Sequence, residues 1–423
     1  MDERHNKNTI RYFLVAVLLL VFLFFSNDFG LIDVQKTAIV TAVGIDREDD
    51  EFILTSQIAI PQSSKQGPSS QAVQLVSRGK TVAQAFEEIN AKTGWYPKLV
   101  FCNLIILGEG TAQTNAFDAL DYFLRDNYLS DNCQIATCDG LAKSILDNSA
   151  LVDSTSSLAI EKVLSAHAER VGTALPTTLR EFAIGYFSDS KSSRLPVIKK
   201  EPQQEPVGNP PQNNGNSSGS SSSGGLADSS SSQNGANGGQ SAESEQNGGN
   251  KQSEKPVFSA SETALFVDGK RVDTLTKEQT FALGAVTGKL RLASYSVERD
   301  GNVCTLSVRQ NSPKTQLTVG EDGRANFHVA LTMTAGIADY SKSLPLEQTK
   351  DMGDLPVGIF SAAEKRLASE IQTVFEKTRA CGCDVFGLQD RLVKYEQRRL
   401  RLFQDNLLDN TTASVSVHFE NVR

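Results

Sequence analysis

The chain has 423 residues, which predicts two or three domains, and its formal charge of −8 with a pI near 5.3 argues against a nucleic-acid-binding protein. Half of that charge lies in one polar tract, because residues 201–256 hold six acidic and two basic side chains. The rest of the chain is therefore close to neutral.

The first element is an apolar run at residues 12–25, YFLVAVLLLVFLFF. It is shorter than the ~20 residues that a helix needs to cross a bilayer, but Arg11 can snorkel at one end and the helix can continue to Ile32. We expect a cytoplasmic tail at residues 1–11 and a transmembrane anchor at 12–32, with the rest exported, because basic residues precede the run. A cleavable signal peptide is the alternative, although no small-x-small cleavage pattern follows.

Strands and helices then alternate. The apolar runs Thr37–Asp46 and Phe52–Ile60 predict an antiparallel hairpin in which Gln57 takes a solvent or edge position. The run Leu99–Leu107 predicts a buried strand, and residues 151–170 predict one amphipathic helix.

A further helix has clear start and stop signals. Thr81 is its expected N-cap, Gln84 takes the reciprocal capping position, and Gly94 follows its end. Its expected apolar stripe consists of Val82, Ala85, Phe86 and Ile89. These elements together predict a sheet with packed helices.

Residues 201–256 are almost all Ser, Gly, Asn, Gln and Pro. Such a composition cannot bury enough apolar surface to offset the entropy of ordering, so we expect disorder. Periodicity alone leaves open whether this tract links two domains or is inserted in one.

The C-terminal part predicts an antiparallel sheet with helices packed on it. Strands are expected at Arg291–Val297, Val303–Arg309, Thr315–Val319 and Asn326–Ile337, and a last one contains Val415, Val417 and Phe419. In the fourth, Phe327, Val329, Leu331 and Met333 alternate with polar residues, which predicts one buried and one wet face. A long helix is expected at Ile359–Arg379 and a second one to about Phe403. The predicted class is α+β.

No catalytic, metal or cofactor site is indicated. The four histidines are isolated, His328 and His418 are expected to be exposed in strands, and no hydrolase, phosphate-binding or dinucleotide motif occurs. Cys102 is expected to be buried and free, and Cys381-Gly-Cys383 lacks partners at zinc-finger spacing. A basic cluster provides the one surface candidate. A solvated face is the simpler interpretation of Lys394, Arg398 and Arg399, and a contact with anionic lipid or an acidic partner is the alternative.

Several motifs, in order, resemble the Ger(x)C family, the C subunits of spore nutrient germinant receptors. The matching segments are Ala38-Ile39-Val40 to Gly44-Ile45-Asp46, Gly79-Lys80-Thr81, Leu104–Leu107-Gly108-Glu109, Leu179-Arg180-Glu181-Phe182, Leu195-Pro196, Ala264–Lys270 and Cys383-Asp384-Val385-Phe386-Gly387-Leu388. The family is usually a lipoprotein with a mature Cys-Trp-Asp start, whereas this chain has Gly30-Leu31-Ile32-Asp33 there. The resemblance implies that an uncleaved helix replaces the lipid.

The resemblance also implies a multi-domain, membrane-tethered α+β ectodomain of mixed and antiparallel sheets without enzymatic activity or cofactor. Its expected parts are an N-terminal domain at 33–165, a middle domain at 166–300 interrupted by an insertion at 201–256, and a C-terminal domain at 301–423. The expected partners are two integral membrane subunits, one A-type and one transporter-like B-type, in the spore inner membrane, with the ectodomain on its outer side. The alternative function is an anchored solute- or wall-binding module unrelated to germination.

Overall fold

The computed structural model describes residues 12–22, 37–59, 72–147, 153, 155–201, 256–299, 301–341, 358–403 and 407–422. Within these residues the chain forms one sheet of ten strands and one of four, with helices packed on both. The predicted α+β fold of mixed and antiparallel sheets is confirmed.

The larger sheet combines a parallel centre with antiparallel sides. Its strands are β1 (Thr37–Glu48), β2 (Glu51–Ala59), β3 (Ala72–Gly79), β4 (Tyr96–Lys98), β5 (Leu104–Leu107), β6 (Gln134–Cys138), β7 (Thr177–Thr178), β8 (Ser192–Glu201), β9 (Val257–Val267) and β10 (Lys270–Leu275). Their order is β10-β9-β8-β6-β5-β1-β2-β3, with β4 on β1 and β7 on β6. The predicted hairpin of β1 and β2 is present, with Glu48 opposite Glu51.

Helices cover both faces of this sheet. They are α2 (Val82–Thr93), α3 (Glu109–Thr114), α4 (Ala116–Arg125), α5 (Ala142–Leu146), α6 (Ser156–Val163), α7 (Ala166–Val171) and α8 (Leu179–Phe187). In β5, Ile105 and Leu107 join the core that holds Phe86 of α2, whereas Leu104 and Ile106 join the core under α5 and α6. Because both faces are buried, β5 is a continuous apolar run rather than an alternating one.

The start and end of α2 agree with the prediction. The Thr81 hydroxyl accepts a hydrogen bond from the Gln84 amide at 3.1 Å, and Gly94 closes the helix at a φ of 71°. The predicted apolar stripe is buried throughout.

Two predicted elements differ in length. The strand expected at 99–107 is limited to β5, because the Cys102 amide donates to the Leu99 carbonyl in a turn. The helix expected at 151–170 is divided, since the Ser165 hydroxyl accepts from the Ala168 amide and starts α7 as a separate helix. Apolar spacing does not reveal such a cap inside a helical pattern.

The smaller sheet has the order β11-β12-β13-β14. Its elements are α9 (Lys277–Val286), β11 (Ala293–Arg299), β12 (Asn302–Val319), β13 (Ala325–Tyr340), α10 (Ile359–Ala380), α11 (Leu388–Tyr395), a 3-10 helix (Gln397–Phe403) and β14 (Thr411–Asn421). The alternating residues of β13, Phe327 to Met333, are buried as predicted, and His328 and His418 are exposed. The prediction of an antiparallel C-terminal sheet is wrong for its last strand. Strand β14 pairs parallel to β13, because α10 and α11 carry the chain back to the starting end of β13.

The two strands expected at 303–309 and 315–319 are one continuous strand, β12. Pro313 lies between the two predicted segments, and a proline cannot donate to a ladder. However, β11 pairs with β12 only as far as Val308, so Pro313 lies where β12 has β13 as its one ladder partner. At such an edge the missing amide hydrogen is tolerated.

Strands β8 and β9 flank the polar tract and pair with each other, with Glu201 opposite Val257. Residues 202–255, where disorder was predicted, lie outside the described residues. The larger sheet contains strands from both the N-terminal and the middle predicted domains. The limits at 33–165, 166–300 and 301–423 stay predictions.

Residues 12–22 form helix α1, whose side chains are exposed. Residues 1–11 and 23–36, which include the rest of the predicted anchor, are not among the described ones. Within the described part of the chain, no helix has the length and apolar character required to span a bilayer.

Candidate functional site: motif residues and two cavities

Asp46, the acidic residue of the first motif, has a structural role. Its two carboxylate oxygens accept hydrogen bonds from the Ala142 amide at 2.7 Å and the Lys143 amide at 3.0 Å, at the start of α5. Burial raises the pKa of Asp46, and these two amides act against that shift. A Cβ on Gly108 would lie 2.0 Å from an Asp46 oxygen, which explains a glycine after β5. The carboxylate therefore joins α5 to the sheet.

Asp384 does the same at the junction of the two sheets. Its carboxylate accepts from the Leu388 and Gln389 amides, both at 2.8 Å, at the start of α11. Its own amide donates to the Ser192 hydroxyl at 2.8 Å. Burial raises the pKa of Asp384 as well. The motif Cys383–Leu388 thus connects α11 to β8 of the larger sheet.

The six cysteines are free and form two neighbouring pairs and two single thiols. Cys102 and Cys133 are both buried, and the hydrogen bond with Cys102 together with burial raises the pKa of Cys133. Cys381 is half-buried, and its hydrogen bond with the buried Cys383 lowers its pKa to about 7. The prediction of a buried, free Cys102 is confirmed. Within the described ranges, no group of three or more His, Cys, Asp or Glu could hold a metal ion.

A first cavity of about 360 Å³ opens where β1 starts. Ile39, Ala59, Phe101 and Leu158 give it a largely apolar wall, and Glu161 of α6 is its titratable group. Burial raises the pKa of Glu161, while a hydrogen bond from the Asn103 side chain acts in the opposite direction.

Gln57 lies near this cavity and is 2% exposed, so the predicted solvent or edge position is wrong. Strand β3 continues the sheet beyond β2, and α6 covers the face to which Gln57 points. Its amide nitrogen donates to the Ser156 hydroxyl at 3.4 Å, and its amide oxygen has no partner among the described residues.

A second cavity of about 320 Å³ lies at the junction, between α8, the start of β8 and the loop that contains Asp384. Arg194 and Lys289 contribute positive charge to its wall, and Glu181, Asp384 and Asp390 contribute negative charge. Polar side chains dominate here, in contrast to the first cavity. Sequence reasoning missed Arg194, because a single arginine in a strand has no distinguishing pattern.

The helix expected to reach about Phe403 ends at Tyr395 and is followed by a separate 3-10 helix, so Lys394 lies at the end of α11 and the other two predicted contact residues lie after it. Lys394 and Arg398 are exposed, and the Lys394 ammonium lies 5.3 Å from the centre of the Tyr395 ring. Arg399 is half-buried, donates to the Val319 carbonyl and lies 3.6 Å from a Glu396 carboxylate oxygen. Two of the three side chains are therefore available at the surface, and their contact role stays a prediction.

Two family profiles match the chain. The spore germination protein N-terminal domain matches residues 31–200, and the spore germination B3/GerAC-like C-terminal domain matches residues 261–421. The fold, with motif residues that serve as structural connections, is that of a spore germination protein. The chain belongs to the Ger(x)C family.

Among solved structures, the crystal structure of the GerBC protein is similar to this chain. The TM-score is 0.50 at 14% sequence identity, and the match covers 90% of this chain and 97% of that one. At this identity the likeness concerns the fold. No curated protein matches the chain.

Proposed function

We propose that the chain is a non-enzymatic, membrane-anchored subunit of a nutrient germinant receptor in the spore inner membrane. It assembles with two integral membrane subunits, one A-type and one transporter-like B-type, and couples them through its sheets rather than through catalysis. The family supports the role in germination. An exposed aromatic surface beside the start of β1 supports the proposal that this end of the protein lies against the membrane.

The folded part begins close to the predicted anchor. Thr37 is the first residue of β1 and pairs with Tyr96 of β4, and the anchor is expected to end at Ile32. Five residues of extended chain span at most about 18 Å. An anchored chain must therefore keep this end of β1 near the bilayer surface.

Exposed aromatic and aliphatic side chains surround the same point. We call the set formed by Val73, Trp95, Tyr96, Val100, Phe101, Tyr128 and Leu158 the aromatic edge. Phe101 and Tyr128 are 58% and 61% exposed, and the Lys98 ammonium lies 4.8 Å from the centre of the Tyr128 ring. Trp and Tyr favour the membrane–water interface, and a lysine there can contact lipid phosphates. We infer that the aromatic edge lies against the bilayer.

Trp95 is the one tryptophan of the sequence, so its fluorescence reports on the aromatic edge. The full-length protein is reconstituted in vesicles of phosphatidylcholine and phosphatidylglycerol, and flotation measures anchoring separately. We expect blue-shifted Trp95 emission that phosphatidylcholine brominated near the top of its acyl chains quenches. Emission that acrylamide quenches and brominated lipid does not quench would contradict the arrangement, even for protein that floats.

A matched control moves the tryptophan to the other end of α4. Phe187 is 70% exposed, and its ring lies 5.1 Å from that of Phe117 in the first turn of α4, whereas Tyr128 follows the last turn. In the double variant Trp95→Phe and Phe187→Trp, brominated lipid should have little effect. Equal quenching in both proteins would mean that the signal does not come from an oriented surface.

A further inference from the structure

The junction cavity is lined by Arg194, a half-buried arginine with one enclosed donor that has no hydrogen-bonding partner among the described residues. The Nε of Arg194 is inaccessible to solvent and makes no hydrogen bond with any described residue. Burial lowers the pKa of Arg194, and the charges of Glu181 and Glu169 only partly oppose that effect. No ion pair joins Arg194 to a carboxylate within the described part of the chain, so its enclosed Nε donor is unsatisfied in the cavity.

Three nearby carboxylates, those of Glu181, Glu169 and Asp384, already have other partners. Glu181 accepts from the Thr178 amide at 3.1 Å and lies 3.4 Å from the Lys289 ammonium. Lys289 in turn contacts Glu169 at 3.2 Å. Asp384 is occupied by the two amides of α11. These contacts leave the Nε of Arg194 as a donor without an acceptor, and Asp390 adds a further negative charge to the cavity wall.

A guanidinium donor that is buried without an acceptor is unfavourable, because it loses water without gaining a hydrogen bond, and the Nε of Arg194 is such a donor. The planar fork of the guanidinium matches a carboxylate or phosphate group, which accepts two parallel hydrogen bonds. The cavity volume of about 320 Å³ is within the range of small-molecule sites. The hydroxyls of Ser188 and Ser192 donate to backbone carbonyls of the protein, so they offer only acceptor oxygens to a ligand.

We propose that the junction cavity binds a small oxyanion, a carboxylate or phosphate group of a soluble molecule, through Arg194. The bound group accepts hydrogen bonds from the guanidinium between α8 and the loop of Asp384. Since these elements belong to the larger sheet and to the C-terminal part, the ligand stabilises their contact. The site does not depend on membrane anchoring or on receptor assembly.

The test measures thermal unfolding of the full-length protein in detergent at constant ionic strength, with chloride replaced by phosphate, acetate or succinate. We expect a saturable rise in Tm of about 2–4 °C at tenfold the dissociation constant. A response to phosphate alone or to the carboxylates alone identifies the group that the site prefers. Equal Tm values in all four salts would overturn the proposal.

Arg194→Gln should lose the response to these anions and, in chloride, should unfold at the same or a higher temperature, because a half-buried charge without an ion-pair partner is removed. A purely structural arginine would instead lower Tm when it is replaced. Arg180→Gln, on the exposed face of α8, is the matched control and should keep the response. A full response in Arg194→Gln, or its loss in Arg180→Gln, would contradict the proposed site.

Discussion

The interior of the larger sheet and the junction with the C-terminal part use the same three features. Each has a buried aspartate that holds the start of a short helix, a pair of neighbouring thiols and a cavity near a titratable group. In the interior, Asp46 is enclosed and Cys102 and Cys133 are both buried. At the junction, Asp384 is enclosed, but Cys381 is half-buried and Arg194 is unpaired. The junction thus differs from the interior in having a partly exposed thiol and an arginine donor without an acceptor.

The largest expected effects come from removing the two aspartates. Asp46→Ala and Asp384→Ala each leave two helix amides without acceptors, which costs about 1–3 kcal/mol in the free energy of unfolding. Urea unfolding measures the free energy of unfolding of both variants and of the unmodified chain. Asp384→Ala should also increase the reaction of Cys383 with a maleimide, whereas Asp46→Ala should not. Equal labelling of Cys383 in the two variants would show that Asp384 does not hold the junction.

The second-largest expected difference between the junction and the interior of the larger sheet is the reactivity of their thiols. Cys381 should react with iodoacetamide with an apparent pKa of about 7, while burial keeps Cys102 and Cys133 unreactive in the folded protein. Cys383→Ala should move the pKa of Cys381 upward toward 9, the ordinary value for a thiol, because the hydrogen bond with Cys383 is lost. Mass spectrometry of labelled peptides over pH gives both values. An unchanged pKa in Cys383→Ala would contradict this cause.

A smaller effect is expected from pH. Because the folded-state pKa values of Asp46 and Asp384 are raised, the stability that each contributes is fully present below about 3.8 and is lost as pH rises through the folded value. Asp46→Asn and Asp384→Asn should therefore show a smaller loss of stability than the unmodified chain as pH increases from 3.8. Urea unfolding over this range tests the sign. If the free energy of unfolding differed between variant and unmodified chain by the same amount at all pH values, the predicted pH dependence would be contradicted.

The smallest effects concern the basic cluster. Lys394→Ala and Arg398→Ala should change the free energy of unfolding by less than about 0.5 kcal/mol, since both side chains are exposed. Arg399→Ala should cost about 1 kcal/mol, because its hydrogen bond to Val319 is lost. If the cluster contacts anionic lipid, the first two variants should weaken vesicle binding at low salt. Unchanged binding would identify a solvated face.

Much of the fold follows from local patterns. The caps of α2 and the alternation in β13 are predictable because each depends on neighbouring residues in sequence. Two other features could not be predicted, because elements distant in sequence determine them. Gln57 is buried because β3 and α6 lie beside it. Strand β12 continues through Pro313 because β11 is too short to pair with it there.

The functional residues show the same limit. The motifs that contain Asp46 and Asp384 are recognisable, yet sequence alone does not tell that both carboxylates bind helix amides. Arg194 belongs to no motif and gains its significance from the elements around it. Their assembly requires contacts between residues almost two hundred positions apart, such as that between Ser192 and Asp384.

The most direct test of the proposed receptor role is purification from membranes of dormant spores, with an epitope inserted in the polar tract between β8 and β9. If the chain is a receptor subunit, two polytopic membrane proteins should co-purify with it, and it should retain its N-terminal apolar segment. Recovery of the chain alone, in the soluble fraction or from growing cells would contradict the receptor role.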